Sequence, residues 1–245
     1  MARVDGIRAR NRAATEEEIL RVARVELRRH GAAALSVRAV AREMGMAPSA
    51  LYRYIKDRDD LLTLLIVAAY TSLGAEVHGA HDAVEPADLD GRWRAVGHGL
   101  RDWARAHPHE YALVYGSPVP DYRAPAEQTN EPGTRVQALL VRLLADARRE
   151  GRLSDAAATF APGSGQLADA AAGHLLDDPF FAGADLDGRA LMAGLAAWTL
   201  LLGTVTTELF EQMGDTIADR DAYFAYMLDV AGRLVLSPAP TTVHS

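Results

Sequence analysis

The sequence predicts an all-α protein: a small N-terminal three-helix domain followed by a larger helical body. Three observations carry that reading. Apolar residues recur at three- and four-residue intervals, strand-like alternation is nowhere sustained, and Pro and Gly gather where the helical pattern breaks. With 245 residues, 49% of them hydrophobic, the chain can bury a substantial core in one large or two unequal domains.

Residues 1–14 carry Arg3, Arg8, Arg10 and Arg12 and read as a flexible basic arm, either reaching a phosphate or minor groove or simply solvated. The next domain, 15–60, holds the most informative stretch. Val37, Val40, Ala41 and Met44 form one apolar stripe on a helix of about two turns, which Ser36 can cap by accepting a backbone N–H. Gly45 ends it, because glycine tolerates the left-handed conformation of a sharp reversal, and Pro48 suits the first turn of a following helix. Two helices joined so tightly are a helix-turn-helix.

On the second of them Leu51 and Ile55 face inward, leaving Ala47, Pro48, Ser49, Tyr52 and Arg53 on or near the exposed side. A helix-turn-helix lays this helix in the major groove, where its first residues read base edges and flanking groups hold phosphates. Tyr52, Lys56 and Arg58 suit the phosphate task, and the helix start at Ser36 to Arg38 offers N–H groups to another phosphate. Singly, each has a plainer reading: Tyr52 and Tyr54 as packing residues, Lys56 and Arg58 as solvated charge.

The remaining helices are expected at about 58–76, 89–106 and 110–115, then at 133–150, 187–213 and 219–236. Pro108 interrupts the second and third, the Pro-rich run 116–125 is a loop, Gly151 is a stop, and 154–182 reads as short Ala-rich pieces. A larger helical body is expected over 61–236, and 237–245 reads as a disordered tail.

Charge is distributed unevenly. The chain carries a formal net charge of −7, yet residues 1–60 hold 13 Lys and Arg against 9 Asp and Glu, a net +4, while 61–245 hold 13 against 24, a net −11. A basic head on an acidic body fits DNA contact confined to one end, whereas an architectural DNA protein, the alternative, would spread its cations. Zero cysteines exclude a disulfide framework and thiolate metal sites. The start is arginine-rich with no apolar signal core, and the longest apolar stretch, 191–205, falls short of a spanning helix, so a cytoplasmic protein with no membrane partner is expected.

The run Leu51-Tyr52-Arg53-Tyr54-Ile55-Lys56-Asp57-Arg58-Asp59-Asp60-Leu61-Leu62 resembles the recognition-helix signature of the TetR family of transcriptional repressors. Ile19, Ala23 and Leu27, followed by Gly31 and the entry Leu35-Ser36-Val37, are similar to that family's first helix and its link into the second. The resemblance implies phosphate contacts at Ser36, Tyr52 and Lys56 or Arg58, and base-edge contacts around Arg38, Ala47, Pro48 and Ser49. Ala47 departs from the hydroxyl residue common at that cap. Further on, the run from Trp103 to Pro120 with Ala197-Trp198 and Glu208-Leu209-Phe210 resembles the Trp-His-Gly type of TetR regulatory domain, although Leu202 stands where that histidine is common.

The last two helices are expected to build a homodimer, because Leu195, Leu202 and Leu209 on one and Phe224 and Leu228 on the other give apolar faces too extensive for a hairpin to cover. Two heads spaced about 34 to 36 Å apart would then read consecutive major grooves of a near-palindromic double-stranded operator. Trp103, Tyr111, Tyr115 and Trp198 are candidates to line a pocket for a small apolar or amphipathic ligand, with core packing as the plainer reading. An enzyme is not expected. His107, His109 and Glu110 lack the spacing that puts two metal ligands on one helical face, and Gly163-Ser164-Gly165 lacks a nucleophile elbow. No cofactor and no metal are called for.

Overall fold

The computed structural model describes residues 2–156, 163, 165–177, 181 and 183–239. Eleven α-helices are described: α1 (Ala2–His30), α2 (Val37–Glu43), α3 (Pro48–Leu51), α4 (Arg58–Asp82), α5 (Leu89–Ala106), α6 (Pro108–Tyr115), α7 (Ala126–Gly133), α8 (Arg135–Arg149), α9 (Gly165–Asp177), α10 (Gly188–Leu209) and α11 (Arg220–Val235). A short 3-10 turn, Ala32–Ala34, follows α1. Extended pairing among the described residues is limited to one bridge between Leu153 and Leu236. The all-α expectation holds.

Several boundaries differ from those read in the sequence. The helix α1 starts at Ala2, within the segment expected to be a flexible arm. The helix α4 runs on to Asp82, since fully buried Val77 continues its inward face past residue 76. The helix α7 has no counterpart in the sequence reading because it buries only Thr129 and Pro132, too few apolar positions to show a period. At the end of α10 the expected stop at 213 moves to Leu209: Glu211 takes φ 53 and Gln212 N–H donates to Thr207 O at 3.0 Å, closing the helix with a left-handed residue that is not glycine. Ser164 and the tail from Pro240 lie outside the described residues.

Two compact units partition the chain. One takes the residues up to Ser72 together with His107–Gly133, and the other takes Leu73–Ala106 and the chain from Thr134 onward. The boundary expected at residue 60 therefore falls inside α4, which supplies residues to both units. In the first unit Ile19, Val22 and Ala23 of α1 meet Val40 and Ala41 of α2, Leu51 of α3 and Leu61, Leu62 and Leu65 of α4, all at or below 1% exposure. The loop after α6 adds Val119 and Tyr122 to that cluster, with Tyr122 Oη 2.9 Å from Thr63 Oγ1. Glu110, nine-tenths buried, accepts from Arg24 Nε at 2.8 Å and docks α6 on α1.

The second unit is ordered by buried polar anchors. Trp93 Nε1 on α5 donates to Leu228 O on α11 at 2.9 Å. Arg101 forks onto Glu208 at 2.8 Å through both Nε and an Nη, reaches Asp221 at 2.7 Å, and lies 4.4 Å over the Phe224 ring. A guanidinium so placed joins α5, α10 and α11 through bidentate and cation–π geometry that lysine could not supply. Asp187 and Asp219 cap α10 and α11 by accepting from Ala190 and Ala222 N–H, each at 2.9 Å.

By length and composition α4 and α10 are each apolar enough to cross a membrane, with mean hydropathy 1.5, contrary to the sequence reading of 191–205. The threonines of α10 hide their polarity: Thr199, Thr204 and Thr207 each turn a hydroxyl onto the carbonyl four residues back. Core helices of soluble proteins share this composition. In α10 only a third of the apolar window is buried within the protomer.

Candidate nucleic-acid interface

The reversal between α2 and α3 is built as the sequence implies. Gly45 takes φ +64, Met46 N–H donates to Ala41 O at 2.9 Å, and Gly45 N–H donates to Arg42 O at 3.1 Å. These two bonds satisfy the last carbonyls of α2. Pro48 occupies the first turn of α3, and Ala47 O accepts from Ala50 and Leu51 N–H at 2.9 and 3.3 Å. Leu51 and Ile55 are buried, whereas Arg38, Ala47, Pro48, Ser49, Tyr52, Arg53 and Lys56 are exposed, Tyr52 at 44%.

Two of the expected roles change. Ser36 occupies the cap position of α2 but makes no side-chain cap bond; its carbonyl accepts from Val40 N–H at 3.1 Å, and the hydroxyl is left out of the helix ladder. Arg58 does not stand out from the surface. It is half-buried and donates to Ala32 O and Ala33 O, both at 3.1 Å, clamping the 3-10 turn to the start of α4. Tyr54 is half-buried beneath the Arg12 guanidinium, 5.6 Å from its ring, in keeping with the packing reading.

One functional group was missed. Asp57 accepts from Asp60 N–H at 2.8 Å while Asp60 accepts from Lys56 N–H at 2.9 Å, and together these bonds fix the backbone carrying Lys56 at the start of α4. The Asp-x-x-Asp spacing is visible in the sequence and is hidden there only by the surrounding charge.

The four pocket candidates separate. Tyr111 and Tyr115 belong to the first unit and Trp103 and Trp198 to the second. Tyr111 and Tyr115 rings lie 5.1 Å apart, and Tyr70 meets Tyr115 edge-on at 6.1 Å. Burial raises the phenol pKa of both Tyr70 and Tyr115, so each keeps its proton and can donate a hydrogen bond. Trp103 is buried at 3%, and Trp198 lines a cavity between α8 and α10.

Among the dimer candidates Phe224 and Leu228 need correction. They are 1% and 2% exposed, held against Arg101, His98 and Trp93 inside their own unit. The apolar surface of α11 is instead Tyr226 at 65% and Val230 at 36%. On α10 Leu195 is 46% exposed, with Leu202 and Leu209 half-buried and Phe210 38% exposed just beyond.

Residues 19–65 match the model of the bacterial regulatory proteins of the tetR family, and residues 93–231 match that of the tetracyclin repressor-like C-terminal domain. The chain belongs to the TetR family. HTH-type transcriptional regulators of Mycobacterium bovis (Mb1846) and Mycobacterium tuberculosis (Rv1816) are each 36% identical over 219 residues, covering 85% of this chain and 87% of theirs. The crystal structure of regulatory protein SCO4313 superposes with a TM-score of 0.72 at 32% identity, over 91% of this chain and 97% of that one. The SmeT–triclosan complex shares the fold at a TM-score of 0.61 and 15% identity, over 95% and 98% of the two chains. This TetR protein is thus a DNA-binding transcription regulator and not an enzyme.

Proposed function

We propose that the chain is a homodimeric repressor whose two heads bind a near-palindromic operator in double-stranded DNA and leave it when a small molecule enters the body. The observation that carries this reading is the sorting of the helix-turn-helix: every inward position of α2 and α3 is closed by core, and Arg38, Ala47, Pro48, Ser49, Tyr52 and Lys56 are left on the outer edge. Arg38 and the small N-terminal residues of α3 serve the bases, Tyr52 and Lys56 the phosphates. Ser36 keeps a hydroxyl for phosphate, and Arg58 supports the edge from behind.

Exposed apolar residues on α10 and α11, Leu195, Tyr226 and Val230, supply the surface for a second copy. Release requires a ligand that binds the non-DNA conformation more tightly. Moving a 1:99 equilibrium to 99:1 takes about 10⁴-fold preference, whereas equal affinity shifts nothing. The helix α4, with residues in both units, is the element that ligand binding would bias. Support for a ligand comes from SmeT, a protein of this fold known with triclosan. The protein would act in the cytoplasm.

A salt titration tests the phosphate edge. Tyr52→Phe with Lys56→Ala should weaken binding to all duplexes alike and flatten the salt dependence by about one unit of slope. Binding at full strength across the titration would overturn the assignment.

A further inference from the structure

Arg92 on α5 is buried, and all three of its nitrogens are engaged. Nη1 donates to Pro86 O at 2.9 Å in the link after α4, and Nη2 donates to Asp146 Oδ2 on α8 at 2.8 Å. Nε donates to His81 Nε2 at 2.9 Å, in the last turn of α4. One guanidinium thus ties the end of α4, the link that follows it and α8 to α5, with Asp146 held in turn by Arg149.

The contact with Arg92 dictates the state of the His81 ring. A guanidinium has no acceptor, so Nε2 must offer its lone pair and the single proton of a neutral ring must sit on Nδ1. Nδ1 lies 2.8 Å from Asp82 Oδ1 and donates to it. That bond, with the charges of His78 and Arg142 adding to it, holds the Asp82 carboxyl below the usual carboxylate range, so Asp82 stays charged where histidines titrate. A second proton on the ring reverses the Arg92 contact: two N–H donors then face each other, each on a cation.

The surroundings pull both ways. His81 lines an open cleft of about 390 Å³ with His78 and Asp82 of α4, Arg92 of α5, and Arg142 and Asp146 of α8. The two aspartates and the carbonyl end of α4 favour a cation at His81, whereas Arg92 and Arg142 oppose one. Two bonding arrangements are therefore available, and they differ by one proton.

We propose that His81 is a proton-responsive clasp: neutral, it anchors the end of α4 to Arg92, and protonated, it lets go of Arg92 and keeps Asp82 alone. Histidine is the side chain whose charge ordinarily changes between pH 5 and 8, which sets the window to search. Release frees the last turn of a helix that has residues in both units, so acidification lowers the affinity for DNA. That consequence rests on the reading of α4 given above; the clasp does not.

The test uses the full-length protein, labelled with ¹⁵N at histidine and arginine and titrated by NMR from pH 8 to pH 5. At pH 8 the His81 ring should carry its proton on Nδ1, and the Arg92 Nε–H should be protected from exchange. Both features should be lost together as the ring takes up its second proton. A ring protonated at Nε2 at pH 8, a ring that takes no second proton down to pH 5, or an Arg92 Nε–H indifferent to the titration overturns the clasp. His81→Gln, whose amide can accept from Arg92 and donate to Asp82 but cannot titrate, should keep the Arg92 Nε–H protected throughout. If that variant fails to fold, the titration of the unaltered chain decides alone. Affinity for a fragment selected from a random duplex pool should fall at least about fivefold more between pH 8 and pH 5.5 in the unaltered chain than in His81→Gln. Equal falls with the NMR result intact support the clasp and overturn its link to DNA. Failure to select any fragment overturns the repressor reading and leaves the clasp to the NMR result.

Discussion

In α2 and α3 the apolar residues at helical spacing are buried and the small or polar ones between them are exposed, so one stripe faces in and one edge faces out. The C-terminal pair behaves differently. On α11, Phe224 and Leu228 are closed into the core while Tyr226 and Val230, two residues further on in each case, are apolar and exposed. Periodicity assigns a face when a helix has one apolar stripe. With two it identifies both and leaves the choice to neighbours distant in sequence, here Trp93, His98 and Arg101.

The sharpest way to break that comparison is to exchange the faces of α11. Phe224→Ala should lower unfolding stability by about 3–5 kcal/mol in a urea titration, because it empties a fully enclosed ring site. Tyr226→Glu with Val230→Glu should leave helicity intact and weaken self-association about a hundredfold or more, near 3 kcal/mol, read by sedimentation. If Phe224→Ala dissociated the protein without destabilising it, the two faces would be assigned the wrong way round.

Smaller effects sharpen the head. Gly45→Ala should cost about 1–2 kcal/mol, all of it backbone strain, since nothing lies within 4 Å of an added Cβ at φ +64. Gly45→Asn should recover part of that loss, because asparagine tolerates the left-handed region better. Asp57→Ala should cost about 1 kcal/mol through the lost cap on α4, visible as a lower melting temperature.

The fold was legible wherever an element advertises its own end. Gly45 and Gly151 take φ +64 and +67 and stop α2 and α8 close to where the sequence places the stops, and Asp187 and Asp219 cap the helices they precede. The same closure after α10 uses Glu211, which carries no such signal, and the expected end ran long. The candidate DNA edge was legible for a related reason. Its residues lie within about two dozen positions and depend on one turn, so local rules suffice. Arg58 shows where they fail: its role is set by carbonyls 25 and 26 residues away, and no spacing rule distinguishes a clamp from a phosphate contact. Glu110 is the same case at longer range, since its partner Arg24 precedes it by 86 residues.

The most direct test is selection of bound fragments from a random duplex pool by the purified full-length protein. A dimer with two exposed helix-turn-helix edges should enrich a near-palindrome whose half-site centres lie about one helical turn, or a multiple of it, apart. Enrichment of no sequence at low salt would contradict the account.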